Sequence, residues 1–186
     1  DWHLPAITGS PTKDSTRKSY LAAWRDSLTL LANEPPTLVL RDFHVDNLMW
    51  LRSRNGIEAC GLLDFQDAVM GPAAYDLMSL LEDARRDISS ELVNTMINRY
   101  FNAFPDLNHD SFSAVFKILA AQRHAKVIGI FTRLSARDGK LTYLRHIPRV
   151  WRLLEASLKH PALTLVQEWF TSHVPKELRP NSAKDT

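Results

Sequence analysis

The segment that most constrains this chain of 186 residues is a charged loop set between two strand-like stretches. Residues 40–50 read LRDFHVDNLMW, with TLVL just before the charges, and the apolar run IEACGLLDF follows the pair Asn55-Gly56. Apolar runs joined by Asn-Gly are typical of a β-hairpin, because both residues accept the positive φ that such a turn needs. The pattern predicts a charged loop that leads into a small hairpin.

Helical periodicity dominates the rest of the chain. A first helix is predicted over about 11–32, with Ser10 as its cap, and the two prolines of EPPT end it because proline cannot continue the hydrogen-bond ladder. One further helix is predicted from residue 73 onward, and another begins after a cap at Ser89 or Ser90. A long helix is predicted over 110–135, with Asp110 as its cap and Gly139 as its stop. The last two helices are predicted over 143–158 and 162–172.

Composition narrows the class of protein. Lys plus Arg is 23 and Asp plus Glu is 21, so the net charge of +2 gives no electrostatic argument for binding nucleic acid or an anionic membrane. No apolar run approaches the roughly 20 residues that cross a bilayer, and the start of the chain does not read as a signal peptide. A single cysteine, Cys60, is predicted to be core and favours a reducing compartment. We expect a cytoplasmic protein.

Three residues of the loop and hairpin carry the chemistry. Asp42 is followed five positions later by Asn47, and Asp64 comes at the far end of the hairpin. Phosphoryl transfer needs a carboxylate that orients the incoming hydroxyl and hard oxygen ligands that hold Mg²⁺ against the phosphates. A loop Asp, a loop Asn and a strand-end Asp supply that set.

The same residues carry a family resemblance. R-D-x-x-x-x-N followed by D-F resembles the catalytic loop and metal-binding aspartate of the protein-kinase-like fold. RDFHVDNLMW and GLLDFQDAVMGPAAYDLMSLL are similar to the aminoglycoside phosphotransferase and choline kinase superfamily. With QRHAKVIGIFTRLSARDGK and YLRHIPRVW, they most resemble its bacterial cell-wall kinases, which phosphorylate the anomeric hydroxyl of N-acetylmuramate and N-acetylglucosamine. The resemblance runs from about Trp2 to Trp169.

The resemblance implies a fold and an activity. It implies an α+β, mostly α fold: the C-terminal, acceptor-binding lobe of a kinase over 1–175, with a small hairpin carrying the catalytic loop on a helical bundle and a polar tail over 176–186. The chain opens without Met and without a glycine-rich nucleotide loop, so we expect the nucleotide-binding lobe upstream of Asp1 and little activity without it. ATP and Mg²⁺ are the implied cofactors, and a sugar hydroxyl is the implied acceptor.

Site roles follow by resemblance. Asp42 is the expected catalytic aspartate, Asn47 and Asp64 the expected Mg²⁺ ligands, and Asp76 the expected brace of the catalytic loop. Substrate-binding or loop-shaping roles are expected for Arg41, His44, Asp67, Arg123 and Arg133. Leu40 and Arg41 replace the superfamily's loop histidine and glycine, so Arg41 stays open between an ion pair and a substrate contact.

Some residues have competing interpretations. We hypothesise that Arg123, Arg133 or Arg137 meets an acidic substituent of the sugar or a phosphate, although a long helix carries surface arginines in any case. The run EDARRD (82–87) is predicted to be a solvated helix end. The five tryptophans are dispersed along the chain, so we assign them to core packing rather than to sugar stacking.

Two alternative functions stay open. The acceptor could instead be an aminoglycoside or a choline-type alcohol, because fold kinship does not name a substrate. In the other alternative the isolated chain is a non-catalytic helical module that binds a partner or forms a homo-oligomer through an exposed interlobe surface. A protein-serine kinase is disfavoured, because QDAVMGPAA is too short for an activation segment.

Overall fold

The computed structural model describes residues 1–179 and is mostly helical, with two small antiparallel sheets. Its helices are α1 His3–Thr8, α2 Asp14–Thr29, α3 Ala74–Leu81, α4 Ser90–Ala103, α5 His109–Asp138, α6 Ile147–Leu158 and α7 Thr164–His173. Its strands are β1 Pro36–Val39, β2 Leu48–Trp50, β3 Cys60–Leu62 and β4 Val69–Pro72. The predicted α+β, mostly α class is therefore confirmed.

The predicted hairpin is present, with a longer connection than expected. Strands β2 and β3 are antiparallel, with Leu48 opposite Leu62 and Trp50 opposite Cys60. The connection over 51–59 contains a short 3-10 turn rather than a tight Asn-Gly turn, although Gly56 does take a positive φ of 59°. A second pairing joins β1 to β4, and β4 was not predicted because Gly71 and Pro72 are poor strand formers.

The chain divides into two compact units. A strand-bearing unit spans residues 33–116 and holds all four strands with α3 and α4. A helical unit contains residues 1–32 and the described residues from Lys117 onward. The single lobe expected over 1–175 stays a prediction; of the tail expected over 176–186, Lys176–Leu178 forms a short 3-10 turn and residues 180–186 lie outside the described residues.

Each unit has its own apolar core. In the helical unit, α6 is anchored by fully buried Val150 and Leu154, and the Ser27 hydroxyl of α2 donates to Ala162 O at 2.6 Å. In the strand-bearing unit, Met78 of α3 is fully buried. Burying one such side chain stabilises a fold by about 1.5–3 kcal/mol. Within residues 1–179, every helix is too short or too polar to span a membrane.

Several predicted helix ends need correction. Helix α2 begins at Asp14, not near residue 11, because a separate helix α1 precedes it and ends at Gly9, which has a φ of +69°. Asn108, not Asp110, caps α5, since its side chain accepts from Ser111 N–H at 2.9 Å. Ser89 as cap of α4 is confirmed, as is the stop at Gly139, which has a φ of +66°.

Burial predictions were wrong at three kinds of position. Cys60 is exposed rather than core, because the two-stranded sheet leaves its side chain open to solvent. Trp50, directly opposite, is 74% exposed, and Trp2 is also exposed. Glu82 and Asp83 are buried rather than solvated, and they follow α3, which ends at Leu81. Asp83 Oδ1 accepts from Arg85 N–H at 2.9 Å.

Candidate functional site

The loop that follows β1 begins with a strained turn. Asp42 N–H donates to Leu40 O at 2.9 Å, which closes a three-residue turn around Arg41. Arg41 has a φ of +71°, in a region that residues other than glycine rarely adopt. Such a backbone costs on the order of 1–3 kcal/mol and persists only where surrounding contacts hold it. The turn sets the position of Asp42, whose side chain is exposed.

Asp76, in the first turn of α3, supplies those contacts. Its two carboxylate oxygens accept from Leu40 N–H at 2.7 Å and from Arg41 N–H at 3.1 Å. The Arg41 guanidinium in turn donates to Asp67 O at 3.4 Å. The pKa of the Tyr100 hydroxyl is raised, mainly by burial and to a smaller extent by the negative charge of Asp76. The sequence-predicted residues Arg41, Asp67 and Asp76 therefore form one connected group.

Asn47 links the loop to the hairpin. Its side-chain N–H donates to Asp42 O at 2.8 Å, and its backbone carbonyl accepts from Leu63 N–H at 2.9 Å. That second bond extends the pairing of β2 with β3 and brings Asn47 beside the residue that precedes Asp64. The structure thus connects Asp42 to Asn47 directly, and Asn47 to Asp64 through the backbone.

Asp64 also has an unusual backbone. Its φ is +57°, and its Oδ1 accepts from Gln66 Nε2 at 2.5 Å. With Arg41, it is one of two residues other than glycine that have a positive φ among the described residues. Strained backbones of this kind cluster at functional sites, where they aim a side chain that a relaxed backbone would not.

The donor set fits a hard cation. Because Asn47 uses its amide nitrogen on Asp42 O, its amide oxygen is the side-chain atom left for a ligand, and Asp64 retains Oδ2. Mg²⁺ is held in proteins by one or two such oxygens, with water and phosphate completing its shell. In residues 1–179 there is no cluster of three or more His, Cys, Asp or Glu able to hold a metal. A two-ligand Mg²⁺ site does not require one.

Sequence reasoning missed an ion pair at the loop. Arg86 donates to Asp46 Oδ1 at 2.5 Å, and His44 Nδ1 lies 4.0 Å from Asp46 Oδ2. His44 is mostly buried, whereas Arg86 and Asp46 are about half exposed, so the Arg86 pair contributes only about 0–1 kcal/mol. The signal was present as opposite charges in the loop and in EDARRD, but sequence spacing alone cannot pair them.

Three predicted arginines lie on α5 in the helical unit. Arg123 is half-buried, and Arg133 lines a cavity of that unit. Arg137 is engaged by Asp138 at 2.6 and 3.0 Å, and this hydrogen bond holds the pKa of the Asp138 carboxyl below its usual range. Arg137 is therefore hydrogen-bonded to a carboxylate, whereas Arg133 acts on the same carboxylate only through its charge.

Comparison with known proteins identifies related sequences. Residues 3–111 match the sequence model described as the phosphotransferase enzyme family. An N-acetylmuramate/N-acetylglucosamine kinase of Caulobacter vibrioides is 44% identical over 139 residues, covering 75% of this chain and 38% of the relative. Kinases of the same name from Neisseria meningitidis and Pseudomonas aeruginosa are 44% identical over 156 residues and 34% identical over 184 residues.

Coverage of these relatives is partial. The match to the Neisseria kinase covers 80% of this chain but 45% of the length of that kinase. The match to the Pseudomonas kinase covers 92% of this chain and 52% of the length of that kinase. The chain therefore spans about half the length, or less, of the curated relatives it matches.

Proposed function

The chain belongs to the phosphotransferase enzyme family, and we propose that it is the acceptor-binding, catalytic lobe of an ATP-dependent kinase for an N-acetylated amino sugar. The relatives named N-acetylmuramate/N-acetylglucosamine kinase support the sugar as acceptor. Aminoglycosides and choline-type alcohols are the alternative acceptors, and the names of the relatives favour the sugar over them.

One observation carries the proposal: the strained turn at Arg41, held by Asp76, sets Asp42 next to Asn47. In the proposed reaction the sugar hydroxyl oxygen bonds to the γ-phosphorus of ATP as the bond to the β-phosphate oxygen breaks. ADP leaves, and the hydroxyl proton passes to the Asp42 carboxylate. Asp76 acts as the brace that keeps Asp42 in position.

Asn47 and Asp64 are the proposed Mg²⁺ ligands, through Asn47 Oδ1 and Asp64 Oδ2. Bound Mg²⁺ would neutralise the charge of the phosphates. The remaining predicted residues take supporting roles in this proposal. Arg41 and Asp67 hold the turn through their 3.4 Å contact, and His44 shapes the loop beside Asp46.

The nucleotide-binding lobe is proposed to lie outside these 186 residues. The relatives extend well beyond the matched region, which supports a further part of the protein. The chain offers no glycine-rich phosphate loop. We therefore expect weak ATP affinity for the chain by itself, and isothermal titration that found micromolar affinity would contradict this part of the proposal.

A chimera tests the function. The chain is joined to the part of the Neisseria relative that it does not match, and transfer from radiolabelled ATP is measured to N-acetylmuramate, N-acetylglucosamine, choline and an aminoglycoside. We expect transfer to the two sugars. Asp42→Asn should lower the transfer rate by about 100-fold or more, because it removes the base that orients the hydroxyl.

Asp46→Asn is the matched control for Asp42→Asn. Asp46 lies in the same loop, but its carboxylate pairs with Arg86, so this substitution should change the rate less than tenfold. Normal transfer by the Asp42→Asn chimera would exclude the role given to Asp42. No transfer to any acceptor by the unsubstituted chimera, with the intact Neisseria kinase active in parallel, would contradict the proposed function itself.

A second, non-catalytic property is supported by the surface of the strand-bearing unit. Ile57, Trp50 and Met70 are 84%, 74% and 65% exposed. Burying such side chains against another surface removes apolar area from water, which favours association. We propose that the isolated chain forms homo-oligomers through them, or that they contact another part of a longer protein.

A further inference from the structure

The helical unit contains a cavity of about 500 Å³ that plays no part in the site described above. Helices α1, α2, α5, α6 and α7 all contribute to its wall, and this volume lies in the usual range for small-molecule sites. Three of the five tryptophans, Trp2, Trp151 and Trp169, line it together with Tyr20. Residues far apart in sequence thus form one aromatic wall, of the kind that packs against the apolar face of a sugar ring.

The charges that line the cavity are unbalanced. Among residues 1–179, the cationic side chains that line it are Arg17, Lys126 and Arg133, and the acidic one is Asp1, which pairs with Arg17 at 2.5 Å. Arg133 and Lys126 have neither an ion pair nor a hydrogen bond to any residue from 1 to 179, and Arg133 Nε is buried without an acceptor. Asp138, the nearby acid on the same helix, is held by Arg137. A carboxylate from a ligand would accept hydrogen bonds from the Arg133 guanidinium and balance its charge.

His3 adds a hydrogen-bond acceptor. The Thr132 hydroxyl donates its one proton to Ile128 O at 2.9 Å, so at its 3.0 Å contact with His3 Nδ1 it accepts, and His3 carries its proton on Nδ1. Burial lowers the pKa of His3 to about 4, so the ring is neutral at pH 7. His3 Nε2 is therefore an acceptor, and it is buried without a donor.

We propose that this cavity binds an N-acetylated sugar that carries a carboxylate. The aromatic wall packs against the ring, Arg133 and Lys126 bind the carboxylate, and His3 Nε2 accepts from a hydroxyl or amide N–H of the ligand. N-acetylmuramate has this chemistry, since it is N-acetylglucosamine with a lactyl ether. The inference rests on the proposed function for the choice of sugar, but not for the cavity or its charges.

Isothermal titration of the 186-residue chain with three probes tests the inference. N-acetylmuramate offers ring and carboxylate, N-acetylglucosamine the ring alone, and lactate the carboxylate alone. We expect N-acetylmuramate to bind most tightly. Arg133→Gln should weaken its binding by about 10- to 100-fold and change binding of N-acetylglucosamine less than twofold, because a hydrogen bond to a charged group is lost only with the acid.

Arg137→Gln is the matched control, because Arg137 lies one turn further along α5 and already pairs with Asp138. It should leave binding of both sugars unchanged. Lys126→Gln, at an exposed position, gives a second test should Arg133→Gln fail to fold by circular dichroism. Undetectable binding of N-acetylmuramate by the unsubstituted chain, or equal weakening of both sugars in the cavity variants, would overturn the inference.

The chimera separates this inference from the proposed function. Sugar phosphorylation that depends on Asp42, together with N-acetylmuramate binding that does not depend on Arg133 or Lys126, would remove the cavity site and leave the kinase. Binding that depends on these cations, in a chimera that phosphorylates neither sugar, would do the reverse.

Discussion

Replacing Asp76 by alanine should release the turn that positions Asp42. The substitution removes the acceptors of Leu40 N–H at 2.7 Å and Arg41 N–H at 3.1 Å. A hydrogen bond to a charged group contributes about 1.5–3 kcal/mol, and Arg41 is exposed, so we take the lower end for each amide. About 1.5 kcal/mol corresponds to roughly tenfold faster exchange of each amide hydrogen.

Hydrogen–deuterium exchange followed by NMR measures these two amides individually. Asp76→Asn should speed the exchange of one of these two backbone amide hydrogens more than the other. Its side-chain Oδ1 still accepts a hydrogen bond, whereas its side-chain NH₂ group faces the second backbone donor. Asp106→Ala is the control, since Asp106 is an exposed acid of the same unit. Unchanged exchange at Leu40 and Arg41 in Asp76→Ala would refute the reasoning, and so would acceleration in Asp106→Ala of the same size.

Two further predictions concern stability and association. The pKa of His3 is about 4 in the folded chain and about 6.5 in the unfolded chain. Protonation of His3 therefore leaves the free energy of unfolding unchanged above pH 6.5 and lowers it by about 3 kcal/mol at pH 4. His3→Asn, which keeps a donor toward Thr132, should remove that part of the pH dependence in urea unfolding at pH 7 and pH 4; an identical loss of stability in both proteins would contradict the assignment. The double substitution Trp50→Ser and Met70→Ser should weaken association of the isolated chain and raise its dissociation constant, measured by light scattering, at least tenfold. A monomeric unsubstituted chain would rule association out.

Local signals in the sequence were read correctly where a few neighbouring residues decide the conformation. Ser89 caps α4 through its bond to Leu92 N–H, and Gly139 ends α5, because both depend only on nearby backbone groups and on φ. The choice of Asp42, Asn47 and Asp64 as candidates also came from local signals, since their residue types and spacing lie within one loop and one hairpin. Their roles stay predictions.

Tertiary structure decided what distant residues do to one another. Two features join segments that lie tens of residues apart: the pairing of β1 with β4 and the two hydrogen bonds that Asp76 accepts from the Arg41 turn. A third, the burial of Asp83, depends on how a turn packs. The tryptophans show the difference most clearly: dispersed in sequence, Trp2, Trp151 and Trp169 line one cavity together with Lys126 and Arg133. Sequence spacing fixes conformation over a few residues, whereas such contacts depend on how the whole chain minimises exposed apolar area while satisfying its polar groups.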